Sequence, residues 1–477
     1  MQAKRIARGL AGLAASLTAT AALAAQAPAP REDFVLTAGG DAIIMTRLTG
    51  ELDNPRFRGL VDLIKQGDAA FVAIEQVFPS DKAYPAATSG DTYLGAPAFT
   101  LGELQNMGFN LFASANNHIF DFGLQGVVDT IDVFKDHGAV FSGIGMTLGE
   151  ARQAGYLDSR RGRVALISTT SSFGEEAAAG DPRPDFKGRP GLNPLRFNPT
   201  YRVDKATFDA LTALKDRPGV IGNAERRVDP TGEWGLRADR PAGGPPKVTV
   251  GGRTYELSDT PGATHTLVEH DLKAITRQIA AAEARSNYVV TYLHSHEGLG
   301  MPAPQNPALG RMTHAAPFVT EFAHAAIDSG TDAFFANGSH TVRGIEIYKG
   351  RPIFYGLGDL FLQNDLVATL PTDFYNRYEL GSDALPAEAL ADRGSYNDPV
   401  QYETAVVRVA FRDGAPREVQ VHPVQLRLKA PGAGIFGVPM LADATGAARI
   451  LGRIQALSQA YGTTMTIRNG VGYIAIP

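Results

Sequence analysis

An α/β fold with helices layered on sheet is what this sequence predicts, and three observations predict it. Seven apolar, β-rich runs read as buried strands: FVLTAGGD (34–41), AAFVAIE (69–75), NLFASAN (110–116), VALISTT (164–170), YVVTYLH (288–294), DAFFANG (332–338) and PIFYGLG (352–358). Helix-patterned stretches lie between them, roughly 57–67, 100–108, 124–137, 266–285 and 311–329. In 124–137, Val127, Val128, Ile131 and Phe134 make one apolar face and Gly138 stops the helix. Such alternation implies a largely parallel central sheet. The third observation is that the polar clusters fall at the carboxyl ends of the strands, where ligands gather in folds of this kind.

The chain has 477 residues, of which 44% are hydrophobic and 20% charged, ordinary values for one large or two modest globular domains. Residues 1–24 differ. Lys4, Arg5 and Arg8 precede an Ala/Leu stretch of about 16 residues, short of the roughly 20 that a spanning helix needs. Ala22-Leu23-Ala24 then offers small residues for cleavage. The expectation is a signal peptide and a periplasmic or secreted protein. Losing those three cations with the leader takes the formal net charge from −5 to −8. That argues against a nucleic-acid surface or an anionic membrane patch. With no cysteine, an exported chain relies on its core.

The alternation breaks at residues 172–262, rich in Pro, Gly and Arg and holding the only tryptophan, Trp234. A stretch that long reads as an insertion bordering the site. The expected organisation is a core over 34–365 carrying that insertion, an irregular excursion over 366–400, and a β-rich part of the same domain over 401–477. In the last, two strands turn at Asp413-Gly414.

Five strand ends carry residues able to bind a metal: Asp41, Glu75, Asn117-His118, His294-Ser295-His296-Glu297, and Asn337 with His340. Each alone has an ordinary explanation. Asp41 fits a turn, Glu75 a solvated strand end, Asn117 a helix cap, and the histidines a surface. Their recurrence at five strand ends of one sheet points instead to a shared centre. Carboxylate, carboxamide and imidazole without thiolate suit one or two first-row divalent ions such as Mn, Zn or Fe.

The order GD…E…NNH…H…GxH resembles the calcineurin-like metallophosphoesterases. SANNHIFDFGLQGVVDTIDVFKDHGAVFSGIG, GSHTVRGIEIYKGRPIFYGLGDLF and GRPGLNPLR resemble, more specifically, the CapA/PgsA-like branch associated with poly-γ-glutamate capsules. The resemblance implies an α/β/β/α metallophosphatase sandwich. It implies that Asp41 and His340 bind a first metal, Glu75 bridges, and Asn117 and His294 bind a second. His118 would be the acid/base, with His296 as a further catalytic residue. Four positions depart from the phosphoesterase pattern: Ile43 and Asn337 replace histidines, Ala73 replaces an asparagine and Glu75 an aspartate, and His296 or Glu297 would compensate for the imidazole lost at Asn337.

The reaction this implies is metal-dependent hydrolysis of an amide-linked, glutamate-containing polymer or peptide. Arg189, Arg196 and Arg343 would pair with substrate carboxylates, and Asn337 and Glu297 would also contact substrate. The alternatives are a phosphoesterase, metal-assisted proton abstraction or epimerisation at a peptide Cα, and a non-catalytic component of a cell-envelope capsule-assembly complex.

Overall fold

The computed structural model describes residues 34–215, 245–251, 253–299, 313–381, 383–392, 398–428 and 435–477. The expected leader, Trp234 and the first residues of the helix expected from 311 lie outside them. No helix among the described residues is long and apolar enough to cross a membrane.

Two sheets face each other. At the centre of the first lies the strand Phe34–Ile43, every residue of which is buried. That explains its near-continuous apolar run. Ala69–Ile74, Leu111–Ala113 and Val140–Ser142 follow on one side, all parallel. On the other side Glu403–Arg412 pairs antiparallel, followed by Ala415–Leu426 and the closing strands Val471–Ala475 and Thr466–Arg468. Asp359–Leu362 joins beside the end of Phe34–Ile43 with Asp41 opposite Asp359. The second sheet runs Ile345–Tyr348, Arg351–Phe354, Ala333–Asn337, Tyr288–His294, Gly162–Thr170, Gly155–Ser159, and its four middle strands are parallel.

Helices cover both outer faces. Pro55–Lys65, Phe99–Met107 and Gly123–Asp136 bury Leu60, Leu104, Ile131 and Phe134 with Val72, Ile74 and Phe112 of the first sheet. Glu269–Glu283 and Pro317–Asp328 bury Ile275, Ile279, Phe318 and Phe322 with Val289 and Phe334 of the second. The inner faces meet in a third core where Phe34 stacks on Tyr288 at 4.0 Å and Phe71 on Phe335 at 5.2 Å. Each such side chain contributes about 1.5–3 kcal/mol by leaving water. The architecture is therefore the α/β/β/α sandwich, in place of the single central sheet that strand–helix alternation suggests.

The remaining differences are local. The helix expected over 266–285 begins at Glu269, because 262–267 pairs as a strand with Phe197–Val203. The one expected over 311–329 begins at Pro317, since proline suits a first helical turn, and His314–Ala315 ahead of it is a short strand. The stretch expected as an insertion holds a four-stranded sheet of Phe197–Val203, Lys247–Val250, Arg253–Leu257 and Gly262–Leu267, with the helix Lys205–Lys215. The stretch 366–400 holds the short helices Thr372–Arg377 and Pro386–Asp392.

Candidate metal centre

Both sheets end their parallel strands at one edge, and Asp41, Glu75, Asn117, His294, His296 and His340 meet there. Two overlapping groups have ligand atoms within 4.8 Å of one another: Asp41, Glu75 and His294, and Glu75, His296 and His340. Glu75 belongs to both. It directly follows the strand Ala69–Ile74 and is fully buried, and neither carboxylate oxygen has a hydrogen-bond partner among the described residues. Three imidazole nitrogens stand around its Oε1: His294 Nε2 at 3.5 Å, His296 Nε2 at 3.8 Å and His340 Nε2 at 3.9 Å.

Local sequence explains how each donor is aimed. Asn116 spends its side chain on the turn: Nδ2 donates to Ile74 O and Ser114 O, and Oδ1 accepts from the His118 N–H at 2.8 Å. Asn117 donates Nδ2 to Gly90 O, which leaves Oδ1 at 2.8 Å from His294 Nε2. His294 ends its strand in register with Asn337 and Thr170. Gly338 follows with φ 99°, and its N–H donates to Asp41 Oδ2 at 2.7 Å. A Cβ there would lie 2.9–3.1 Å from ring atoms of His296 and His294. His340 is also left-handed, φ 54°, and donates Nδ1–H to Asp359 at 2.9 Å, so its Nε2 faces Glu75.

Buried charge dominates the electrostatics. Burial, then the charges of Glu75 and Asp359, raise the Asp41 carboxyl well above its usual range. Burial pushes Glu75 the same way, but the charges of His340 and His294 outweigh it and hold Glu75 low. Burial raises Asp359 despite His340, and pushes His294 down to about 3. Buried carboxylates beside imidazole nitrogens make a ligand set that a divalent cation would satisfy. The residues present fit one.

His118 stands apart from the donors. Its Nδ1 lies 2.7 Å from Asp121 Oδ2, and Asp121 also accepts from the N–H groups of Gly90 and Leu94. Burial lowers the His118 pKa, the adjacent Asp121 charge and hydrogen bond raise it, and the net direction is upward.

The structure places the other expected site residues as follows. His296, expected as a catalytic residue or a compensating ligand, stands among the donors, its Nε2 3.1 Å from His294 Nε2. Glu297, expected at the substrate, accepts from the hydroxyls of Ser171, Ser172 and Ser295 and braces the loop that carries His296. Asn337 is buried, with Oδ1 taken by the Leu357 N–H and Nδ2 without a partner among the described residues. Arg196 is committed to Glu175 and Asp271. Arg343 is 1% exposed and donates to Glu297 O, and burial lowers it to about 10. Arg189 alone of the three arginines is exposed, its Nε bonded to Ala178 O. Ile43, where the phosphoesterase pattern has histidine, packs into the helix-side core, because the strand register shifts between Asp41 and Ala42.

Sequence reasoning missed Asp121, Asp359 and Tyr292, whose Oη lies 2.7 Å from Asp41 Oδ1 and 3.0 Å from His294 Nδ1. Signals for them exist: Asp121 follows His118 by three residues, Tyr292 precedes His294 by two on the same strand face, and Asp359 lies within GLGDLF.

A two-sheet sandwich with a carboxylate–imidazole cluster at its shared edge defines the class of protein, and sequence comparison gives the family. Residues 35–364 match the family described as bacterial capsule synthesis protein PGA_cap, and the chain belongs to it. It is 30% identical over 461 residues to the uncharacterized protein y4sH of Sinorhizobium fredii, covering 93% of this chain and 94% of that one. A probable polyglutamine synthesis accessory protein of Mycobacterium tuberculosis is 25% identical over 52% of this chain and 44% of its own length. The capsule biosynthesis protein CapA of Bacillus anthracis is 28% identical over 44% and 48%. Among solved structures, a putative 5′-nucleotidase from Staphylococcus aureus, in complex with α-ketoglutarate, aligns with 90% of this chain and 58% of its own at 10% identity. Its TM-score is 0.33, too low to build on.

Proposed function

We propose that this chain is an exported, metal-dependent hydrolase of an amide-linked, glutamate-containing polymer or peptide, acting in capsule metabolism. The observation that carries the reading is Glu75, buried with two unpartnered oxygens where the two donor groups overlap, close to the His118–Asp121 pair. Asp41, Glu75, Asn117, His294, His296 and His340 would hold the ion or ions. A divalent cation there supplies Lewis acidity toward a carbonyl oxygen. His118, its Nδ1 engaged by Asp121, carries its exchangeable proton at Nε2, and the upward pKa keeps it available to a leaving amine. Arg189 offers an exposed guanidinium to substrate carboxylates. The polymer follows from the relatives' names and from the family, and export from the basic, apolar, small order of residues 1–24.

The test combines metal analysis of purified protein with assays on a γ-glutamyl polymer and an aryl phosphate. Bound divalent ion and polymer cleavage are expected. Turnover of the aryl phosphate alone would replace the reading with phosphoesterase chemistry, to which a carboxylate shared by two donor groups is also suited. A metal-free protein, inactive on both, would leave the capsule-assembly component. N-terminal sequencing of exported protein should start near residue 25, and an intact Met1 in the cytoplasm would overturn the export part.

A further inference from the structure

Tyr292 lies on the strand Tyr288–His294, two residues before His294 and on the same face of the sheet. It is 1% exposed, with its ring 5.6 Å from Phe71 of the opposite sheet. Packing accounts for the ring but not for the hydroxyl, which sits between two donors of the centre, 2.7 Å from Asp41 Oδ1 and 3.0 Å from His294 Nδ1. The Tyr292 hydroxyl donates to Asp41 Oδ1, and a phenol has one hydrogen to give. The contact with His294 must then run the other way, Nδ1–H donating to Oη. That places the lone pair of His294 on Nε2, the atom facing Glu75, Asn117 and His296.

We propose that Tyr292 is a positioning residue of the metal centre: its one hydroxyl fixes the His294 tautomer with Nε2 free to bind, and orients the Asp41 carboxylate. The inference rests on the metal-centre reading above. His340 obtains the same service from Asp359 through Nδ1. Tyr292 differs in serving a donor from each sheet, since Asp41 belongs to the first and His294 to the second.

Tyr292→Phe removes the hydroxyl and keeps the ring. Titration calorimetry with Mn²⁺ alone, and the visible absorption of the Co²⁺-loaded protein, read the effect without reference to turnover. Affinity should fall about 10- to 100-fold, as for other residues that orient a ligand, and the Co²⁺ spectrum should change. Tyr355→Phe, which removes a buried hydroxyl bonded to Glu346 away from the centre, should change neither. Unchanged affinity and spectrum in Tyr292→Phe overturn the proposal and leave the metal centre standing. A wild type that binds neither ion overturns both. Should Tyr292→Phe fail to fold, imidazole ¹⁵N NMR of the Zn²⁺-loaded wild type decides: His294 bound through Nε2 with a hydrogen-bonded Nδ1–H supports the proposal, and binding through Nδ1, or an Nδ1–H without that bond, overturns it.

Discussion

Glu75 is buried with no hydrogen-bond partner to either oxygen among the described residues, and the charges of the surrounding imidazoles hold it low. Glu75→Gln should therefore abolish tight metal binding and, by removing a carboxylate that the fold favours in its charged form, lower the ion-free melting temperature by stability on the order of 1 kcal/mol. Metal analysis and thermal unfolding in chelator check the two halves, and a raised ion-free melting temperature would show that the buried charge is uncompensated. His118 and His296 should separate in the opposite sense. His118→Ala loses about 10²–10⁴ in turnover and keeps its ions, because His118 is bonded to Asp121 outside both donor groups. His296→Ala should shed metal. If His296→Ala keeps its ions and loses only turnover, the catalytic role expected from the sequence is restored.

Elements, more than single residues, set how the donors approach each other. Gly40 lets the end of Phe34–Ile43 pass against residue 358, where a Cβ would fall 1.7 Å from Gly358 O, and that crossing puts Asp359 beside Asp41. At the adjoining loop, Gly338→Ala adds a Cβ against His294 and His296 at a positive φ. The expected result is a folded protein destabilised by about 1–3 kcal/mol, with metal affinity lost out of proportion, measured by denaturation and metal titration together. The hairpin Glu403–Arg412/Ala415–Leu426 supplies a pH dependence remote from the centre. On it, burial, then the charge of Arg408, pushes His422 down to about 4 from an ordinary 6.5. The unfolded chain takes up that proton first as pH falls, so this contribution is present above pH 6.5 and is lost between about 6.5 and 4. It amounts to at most about 3 kcal/mol. Unfolding of ion-free protein in chelator should show that slope, and His422→Gln should flatten it.

Across the whole molecule, the centre is where the two sheets come together, because Asp41, Glu75 and Asn117 lie in or after strands of the first sheet and His294, His296 and His340 in or after strands of the second. The donors were legible from sequence because a strand buried on both faces reads as an apolar run, and a polar residue at its end stands out. The division into two sheets was not, since alternation of strand and helix is the same for one sheet or two. Tyr292 and Asp359 were hidden for a related reason: Tyr292 looks like one more core aromatic, and Asp359 acquires its meaning only through pairing with Asp41, 318 positions away. An ion at that junction has a thermodynamic consequence. An ion bound by the folded state and not by the unfolded chain adds about 2.7 kcal/mol of stability at one hundred times its dissociation constant. Chelation should lower the melting temperature of the wild type by several degrees, re-addition of Mn²⁺ should restore it in a concentration-dependent way, and Glu75→Gln should respond to neither. If chelator strips the ion and leaves the melting temperature of the wild type unchanged, the ion binds folded and unfolded chain alike, and the cluster at the shared edge is not where it sits.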